Sequence, residues 1–416
     1  MDVASLNVAK LSLLFAALCA MAAACSPAAD RTDSLRESRS PEMSALTQET
    51  QAPKEGNEPM TAKSIAEQTY KTVMKYYYLE KENLFLENFE RKPDDKPNSY
   101  LWPYSTMISA VNALAKMPGG GEAYRGDLVR VLDGVEQYWQ ASGNPPGYTA
   151  SLQKGKGNGR KFYDDNEWVG LDMVQAYRTL GDPKYLRRAE QIFELVKSGW
   201  SEELGGGIYW REGKENDPPP TKNTCSNGPA AVLALMLYEE TRNADYLDWA
   251  KKILDWTRKL KADSGVYWDH MKSDGTIDKR TFTYNTGTVL HANALLYKIT
   301  GEKSYLEEAR SLAKASLAYF TKPNAAAKIS FFPTTPWFNV VLFRGYLELY
   351  RVDAEHDRTY IDAMRANVWY AWEHARDERG LFSKDWSGTT GVKDVFKPLL
   401  NQAPMVEVFA LLAQLE

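Results

Sequence analysis

Downstream of Ile65 the apolar positions fall into two alternating patterns, and the alternation predicts the fold. Residues 168–180, 229–238, 288–299 and 338–350 are apolar on nearly every helical face, as fully buried helices are. The stretches between them carry a narrower stripe. Over 185–196, Leu186, Ala189, Ile192, Phe193 and Val196 share one face while Arg187, Arg188, Glu190 and Glu194 take the other. A recurring phrase separates the two kinds. Gly181-Asp-Pro-Lys-Tyr-Leu186, Asn243-Ala-Asp-Tyr-Leu247 and Gly301-Glu-Lys-Ser-Tyr-Leu306 return at about 60 residues, each with an alanine (Ala189, Ala250, Ala309) four residues past its tyrosine. A period of that length holds two helices and a loop. The body of the chain is therefore expected to be all-α, with about twelve helices in six hairpins, striped helices outside and apolar ones inside. Closing the hairpins into an (α/α)6 barrel, a toroid of six helical hairpins, buries every inner helix, whereas an open superhelix leaves end faces that need polar caps.

The region before the repeats has a different character. Lys10, the apolar run 11–24 and Cys25 have the layout of a secretory leader and are too short, with these flanks, for a spanning helix. Ala22 to Ala24 directly ahead of Cys25 resemble a lipobox. Residues 1–24 are thus expected to be a signal peptide and Cys25 the acylated mature N-terminus, with an ordinary leader cut near the same alanines as the alternative. Residues 25–62, rich in Ser, Pro, Thr, Ala and charge without an apolar period, are expected to be the lipidated cysteine and a flexible linker, and 63–416 a single domain. Such a protein is exported, anchored in the outer membrane with its face undetermined, and touches the membrane only through its lipid. With Cys25 acylated, Cys225 stands alone and no disulfide framework is available.

The net charge of −4 argues against nucleic acid as a partner, and 12 Trp with 24 Tyr suit a neutral carbohydrate as well as an aromatic core. The four histidines, His270, His291, His356 and His374, show no tight metal spacing, so no metal or cofactor is expected.

A ring of helical hairpins gathers its inner-helix N-termini on one face, where loops carry the site. Asp164 and Asp165 stand side by side just ahead of an apolar helix. Adjacent carboxylates in a cleft repel, so one gains a proton while the other stays ionised, which is the pairing that glycosidic cleavage needs. The plain alternative is a solvated helix N-terminus answering its macrodipole. Trp102, Tyr104, Trp210 and Trp337 are candidate sugar platforms, each alone explained equally well by core packing. Asn166, Asn227, Tyr284 and Asn285 are candidates to bind sugar hydroxyls, or helix caps and turn residues. Glu167 is either a third carboxylate of the site or a cap on backbone amides.

Taken in order, Trp102-Pro-Tyr104, Tyr163-Asp-Asp-Asn-Glu-Trp168, Gly205-Gly-Gly207 with Trp210, Cys225-Ser-Asn-Gly-Pro229, Tyr284-Asn-Thr-Gly287 and Leu381-Phe-Ser-Lys-Asp-Trp386 resemble the landmarks of family-76 glycoside hydrolases, the endo-α-1,6-mannanases. The resemblance spans nearly all of 65–416. It implies an (α/α)6 fold, cleavage of the α-1,6-mannan backbone with retention, Asp164 as nucleophile and Asp165 as acid/base, with α-mannan polysaccharide or oligosaccharide as partner. The chain departs from the family at Thr286, where Gln often follows Tyr-Asn, and that puts one substrate hydrogen bond in question. Three alternatives remain open: a mannan transglycosidase of the same fold, a non-catalytic glycan-binding lipoprotein, and an unsaturated-uronide hydrolase. The last wants basic side chains in the cleft, for which Arg160, Lys161 and Lys222 are the nearest.

Overall fold

The computed structural model describes residues 60–416 apart from 154–155, 158, 214–216 and 390–395. The expected leader, Cys25 and nearly all of the linker lie outside the described residues. Met60–Glu416 form one unit, whose first helix opens at Ala62 behind a capping box in which the Thr61 side chain accepts from the Ser64 amide.

Twelve α-helices follow among the described residues: α1 (Ala62–Tyr77), α2 (Leu101–Ala115), α3 (Arg125–Val135), α4 (Tyr163–Leu180), α5 (Pro183–Ser198), α6 (Thr224–Thr241), α7 (Ala244–Thr257), α8 (Thr283–Thr300), α9 (Lys303–Phe320), α10 (Pro336–Val352), α11 (Thr359–His374) and α12 (Leu399–Ala413). The even-numbered helices form the inner ring. α2 packs on α4, α4 on α6, α6 on α8, α8 on α10, α10 on α12, and α12 returns to α2. That closure is the expected barrel, and it explains the all-round apolarity: in α6 every residue from Thr224 to Leu237 is buried. Each odd helix from α3 to α11 lies against the inner helix before it, and the sixth pair joins α1 to α12, tying the first described helix to the last.

The recurring phrase is the turn from inner to outer helix. Gly181 closes α4 in the left-handed region at φ 74°, where glycine is not penalised, and Asp182 then caps α5 with Pro183 as its first residue. The connections on the other face are short β-hairpins that the helical period did not announce. The largest is a three-stranded antiparallel sheet of Lys222–Asn223, Trp268–Met271 and Ile277–Thr281. Pairing within these hairpins satisfies backbone groups that pass over the mouth of the barrel.

Candidate active site

Three inner helices start five residues before their apolar runs, so the Asp164, Cys225 and Tyr284 motifs lie in first turns and not in the loops ahead of them. This gives each motif a register. Residues in second position are Trp102, Asp164, Cys225, Tyr284 and Trp337, with Leu400 on α12. Five of the six meet around the mouth. The Cys225 thiol donates to Asp164 Oδ2 at 3.4 Å, and Tyr284 hydrogen-bonds Cys225. The Tyr284 and Trp337 rings lie 5.8 Å apart, those of Trp337 and Trp102 5.2 Å. Phe338 stacks on Tyr284 at 4.2 Å, and Trp168 stands edge-on to Trp337 at 4.9 Å. Trp337, only 4% exposed, is the hub of this aromatic floor, and Trp102 and Tyr284 are more open. Phe338 has no signal in the sequence beyond membership of an apolar helix, and Trp168, although it ends the Tyr163–Trp168 motif, is not marked there as part of a ring floor.

Fourth-position residues serve the scaffold, and here the structure corrects several expectations. Asn166 Oδ1 accepts from the Tyr148 amide at 2.8 Å while its Nδ2 donates to the carbonyls of Tyr148 and Phe162. Asn227 repeats the clamp on Ile208, accepting at 2.8 Å and donating to the carbonyls of Ile208 and Asn223. Gln402 does the same with Phe382. Both asparagines are fully buried with their hydrogen-bonding capacity spent on backbone, so they hold hairpins against helices and do not reach a sugar. Tyr104 is likewise not a platform: its ring packs with Phe85 and Tyr138 in the core and its hydroxyl donates to Val131 O at 3.0 Å. Thr286 occupies the same register and accepts from the Tyr267 amide at 3.0 Å. In this chain Thr286 is thus part of a loop clamp, and its hydroxyl is engaged with backbone. Gly287, next in the motif, serves close packing, since a Cβ there would stand 2.5 Å from Leu342 Cα on α10.

The two aspartates sit in unequal surroundings. Asp164 is half-buried and well supplied with donors. Its Oδ2 accepts from Trp210 Nε1 at 2.9 Å and from Cys225, and its Oδ1 from the Asp165 amide at 2.9 Å. Trp210 is fixed in turn by the Tyr163 amide bonding to its carbonyl at 3.0 Å and by the Phe162 ring at 4.9 Å. Burial raises the Asp164 carboxyl to about 6, and these donors restrain the rise. Asp165 is 9% exposed, and burial followed by the charge of Asp164 holds its carboxyl well above the usual range. These surroundings favour the ionised form on Asp164 and the shared proton on Asp165.

Glu167, one turn further along α4, is fully buried and caps nothing: neither carboxyl oxygen has a hydrogen-bond partner among the described residues. Burial, followed by the negative charge of the neighbouring aspartates, holds its carboxyl well above the usual range. Asn285 is also fully buried with both amide atoms unpaired, the unspent capacity that a hydroxyl-binding residue needs.

The basic side chains near the mouth are engaged. Arg160 makes a two-pronged contact with Asp217 at 2.8 and 2.6 Å, Lys161 pairs with Glu212 at 2.8 Å, and Lys222 Nζ donates to the carbonyls of Ser201, Glu203 and Gly206. Asp269, His270 and Asp278 converge in the three-stranded sheet, but Arg280 bridges both aspartates, at 3.1 and 3.0 Å, and supplies that cluster with its own cation.

The model of glycosyl hydrolase family 76 matches residues 61–415. A mannan endo-1,6-α-mannosidase of Candida glabrata is 30% identical over 171 residues, 38% of each chain, so the match spans well under half of that curated relative. Among solved structures, the family 76 mannosidase Bt3792 of Bacteroides thetaiotaomicron has a TM-score of 0.77 and 28% identity over 85% of this chain and 98% of its own. The α-1,6-mannanase of Salegentibacter sp. scores 0.71 with 27% identity over 85% and 100%. A variant of that enzyme with two consecutive aspartates replaced is described as inactive and was crystallised with α-1,6-mannotetrose (TM-score 0.71, 26% identity, 86% and 100% covered). The match over nearly the whole described unit, on a closed barrel with an acidic pair at its mouth, shows that this chain belongs to glycosyl hydrolase family 76.

Proposed function

We propose that the chain is a retaining, endo-acting α-1,6-mannanase that cleaves the mannan backbone through a mannosyl-enzyme intermediate. The observation that carries this reading is the unequal solvation of the two aspartates. Asp164, ionised and held by three donors, attacks the anomeric carbon as Asp165 passes its proton to the departing glycosidic oxygen. Ester formation removes the charge of Asp164. One of the two causes that raise Asp165 then disappears, and Asp165 becomes a stronger acid and a competent carboxylate base. It takes a proton from water, the oxygen attacks the anomeric carbon, and Asp164 is released. Trp102 and Tyr284 offer ring faces to the sugar, and Asn285 offers both an acceptor and a donor.

The family likeness and the solved α-1,6-mannanases support mannan as substrate. The engagement of Arg160, Lys161 and Lys222 speaks against a uronide, which needs a free cation. Within the same proposal the chain is exported and anchored through acylated Cys25 in the outer membrane. The mass of the mature N-terminal peptide tests that part.

The enzymatic test is incubation with unbranched α-1,6-mannan, following the anomeric configuration of the first product by NMR. The parent releases α-configured oligomannose, and Asp164→Asn and Asp165→Asn release almost none. Full activity in either variant removes that residue from the mechanism, a β-configured product removes retention, and products longer than a short substrate redirect the assignment to mannosyl transfer.

A further inference from the structure

Beneath Trp168 the barrel axis widens into a cavity of about 380 Å³, lined by all six inner helices, mostly through their C-terminal halves, so that it extends away from the acidic pair. The lining is strongly charged. Lys116, Arg178, Lys298, Arg344 and Arg351 face it, against the carboxyls of Asp172, Glu239, Glu348 and Glu407. Arg178, Lys298 and Arg351 lie in the last turns of their helices and Lys116 is the C-cap of α2, where the macrodipole favours cations.

Most of this charge is consumed internally. Arg344 grips Glu407 through two bonds of 2.6 and 2.8 Å, Arg178 holds Glu239 at 3.0 Å and Glu240 at 2.5 Å, and Lys298 holds Glu239 at 2.8 Å. Three groups keep unspent capacity. Lys116 bonds only the amide oxygen of Gln175 and makes no ion pair among the described residues. Arg351 finds its carboxylate, Glu348, at 3.7 Å, beyond hydrogen-bond reach. Asn112 is 4% exposed and its Oδ1 has no partner, although its Nδ2 donates to Asp172 O at 3.1 Å. Lys116 stands at the exposed rim of the cavity, where desolvation by the groups packed around it and the neighbouring charges of Arg178 and Arg351 lower its ammonium to about 8, against the pull of Asp172 and Glu240. Cations are thus crowded at one end of a cavity whose volume is that of a small-molecule pocket.

We propose that this axial cavity is a binding site, separate from the acidic pair, for a small polyhydroxylated anion. Lys116 and Arg351 take its carboxylate or phosphate, and Asn112 Oδ1 accepts from one of its hydroxyls. The class is a sugar acid or sugar phosphate, since the cavity offers both cations and an unpaired acceptor. The inference goes beyond the proposed hydrolysis and does not depend on it.

The test is calorimetric titration of the exported full chain with gluconate, mannose 6-phosphate and neutral mannose at pH 7 and pH 9.5. Saturable binding of at least one anion is expected, with none for mannose, and affinity at least about fivefold weaker at pH 9.5, where Lys116 is largely neutral. The gluconate and phosphate arms distinguish the two anion chemistries. Lys116→Met abolishes binding. So does Gln175→Glu, which adds a carboxylate beside Lys116 and keeps the fold even if the first variant does not. Asp164→Asn leaves binding unchanged, whatever its effect on mannan. Absence of saturable anion binding, parental affinity retained in both cavity variants, or loss of binding in Asp164→Asn overturns the proposal, the last by placing the ligand at the acidic pair.

Discussion

Trp210→Phe isolates one hydrogen bond on which the chemistry turns. The indole Nε1 donates to Asp164 Oδ2 at 2.9 Å, and its loss leaves the carboxylate with the Cys225 thiol and the Asp165 amide. A hydrogen bond to a charged group is worth about 1.5–3 kcal/mol, and one pKa unit is about 1.36 kcal/mol. Because Asp164 is half-buried and water replaces part of the donor, the lower end applies, an upward move of about one pH unit. The sign follows from the donor's preference for the ionised form: removing it raises the carboxyl, which starts near 6. The nucleophile must be ionised, so the acidic limb of the kcat/KM profile for α-1,6-mannan moves up with it. At pH 6 the ionised fraction falls from about a half to about a tenth, a loss of about fivefold, while at pH 8 the loss is small. Cys225→Ala, which removes a weaker donor at 3.4 Å, moves the limb in the same direction by less. The assay is the pH profile of reducing-end release from pH 4 to 9, and the limb is read as a property of the pair. A uniform loss at every pH, with the limb in place, would refute the reasoning and leave Trp210 as a platform.

Three further outcomes follow from the same structure. Asn227→Ala strands the buried Ile208 amide and is expected to cost about 2–4 kcal/mol in urea unfolding, and a loss below about 1 kcal/mol would mean that the clamp is dispensable. Burial raises Asp172 to about 7, so the folded state binds its proton more tightly than the unfolded chain and this group favours folding less as pH rises from about 4 to about 7. Asp172→Asn should therefore gain stability relative to the parent across that window, by at most about 4 kcal/mol, and a constant difference in unfolding free energy between pH 4 and 7 would exclude this. Trp102→Ala removes an open ring face of the aromatic floor, which predicts a KM about fivefold higher with kcat nearly unchanged, whereas an equal fall in kcat would give the ring a part in the reacting step.

How much of this was legible beforehand differs from element to element. The barrel was: a helix surrounded by other helices must be apolar on every face, and a helix on the rim only along one stripe, so the alternation at about 60 residues already encodes inside and outside. The inner helix starts were not, because an acidic or amide-rich first turn looks like the loop before it. Only the closed ring shows that Asn166, Asn227, Thr286 and Gln402 share a register and brace the hairpins.

The same limit applies to the site. The sequence by itself determined that two adjacent carboxyls stand beside an apolar inner helix, since chain adjacency and periodicity suffice for that, and it left open whether they face a cleft or bulk solvent. Tertiary structure decided which of the two is ionised. The donors that separate them, Trp210 and Cys225, lie 46 and 61 residues away in the chain. Their hydrogen bonds exist only because ring closure brings the starts of neighbouring inner helices, and the hairpins they clamp, to a common face. The axial cavity has the same origin, for its five cations come from four inner helices that meet only when the barrel is shut.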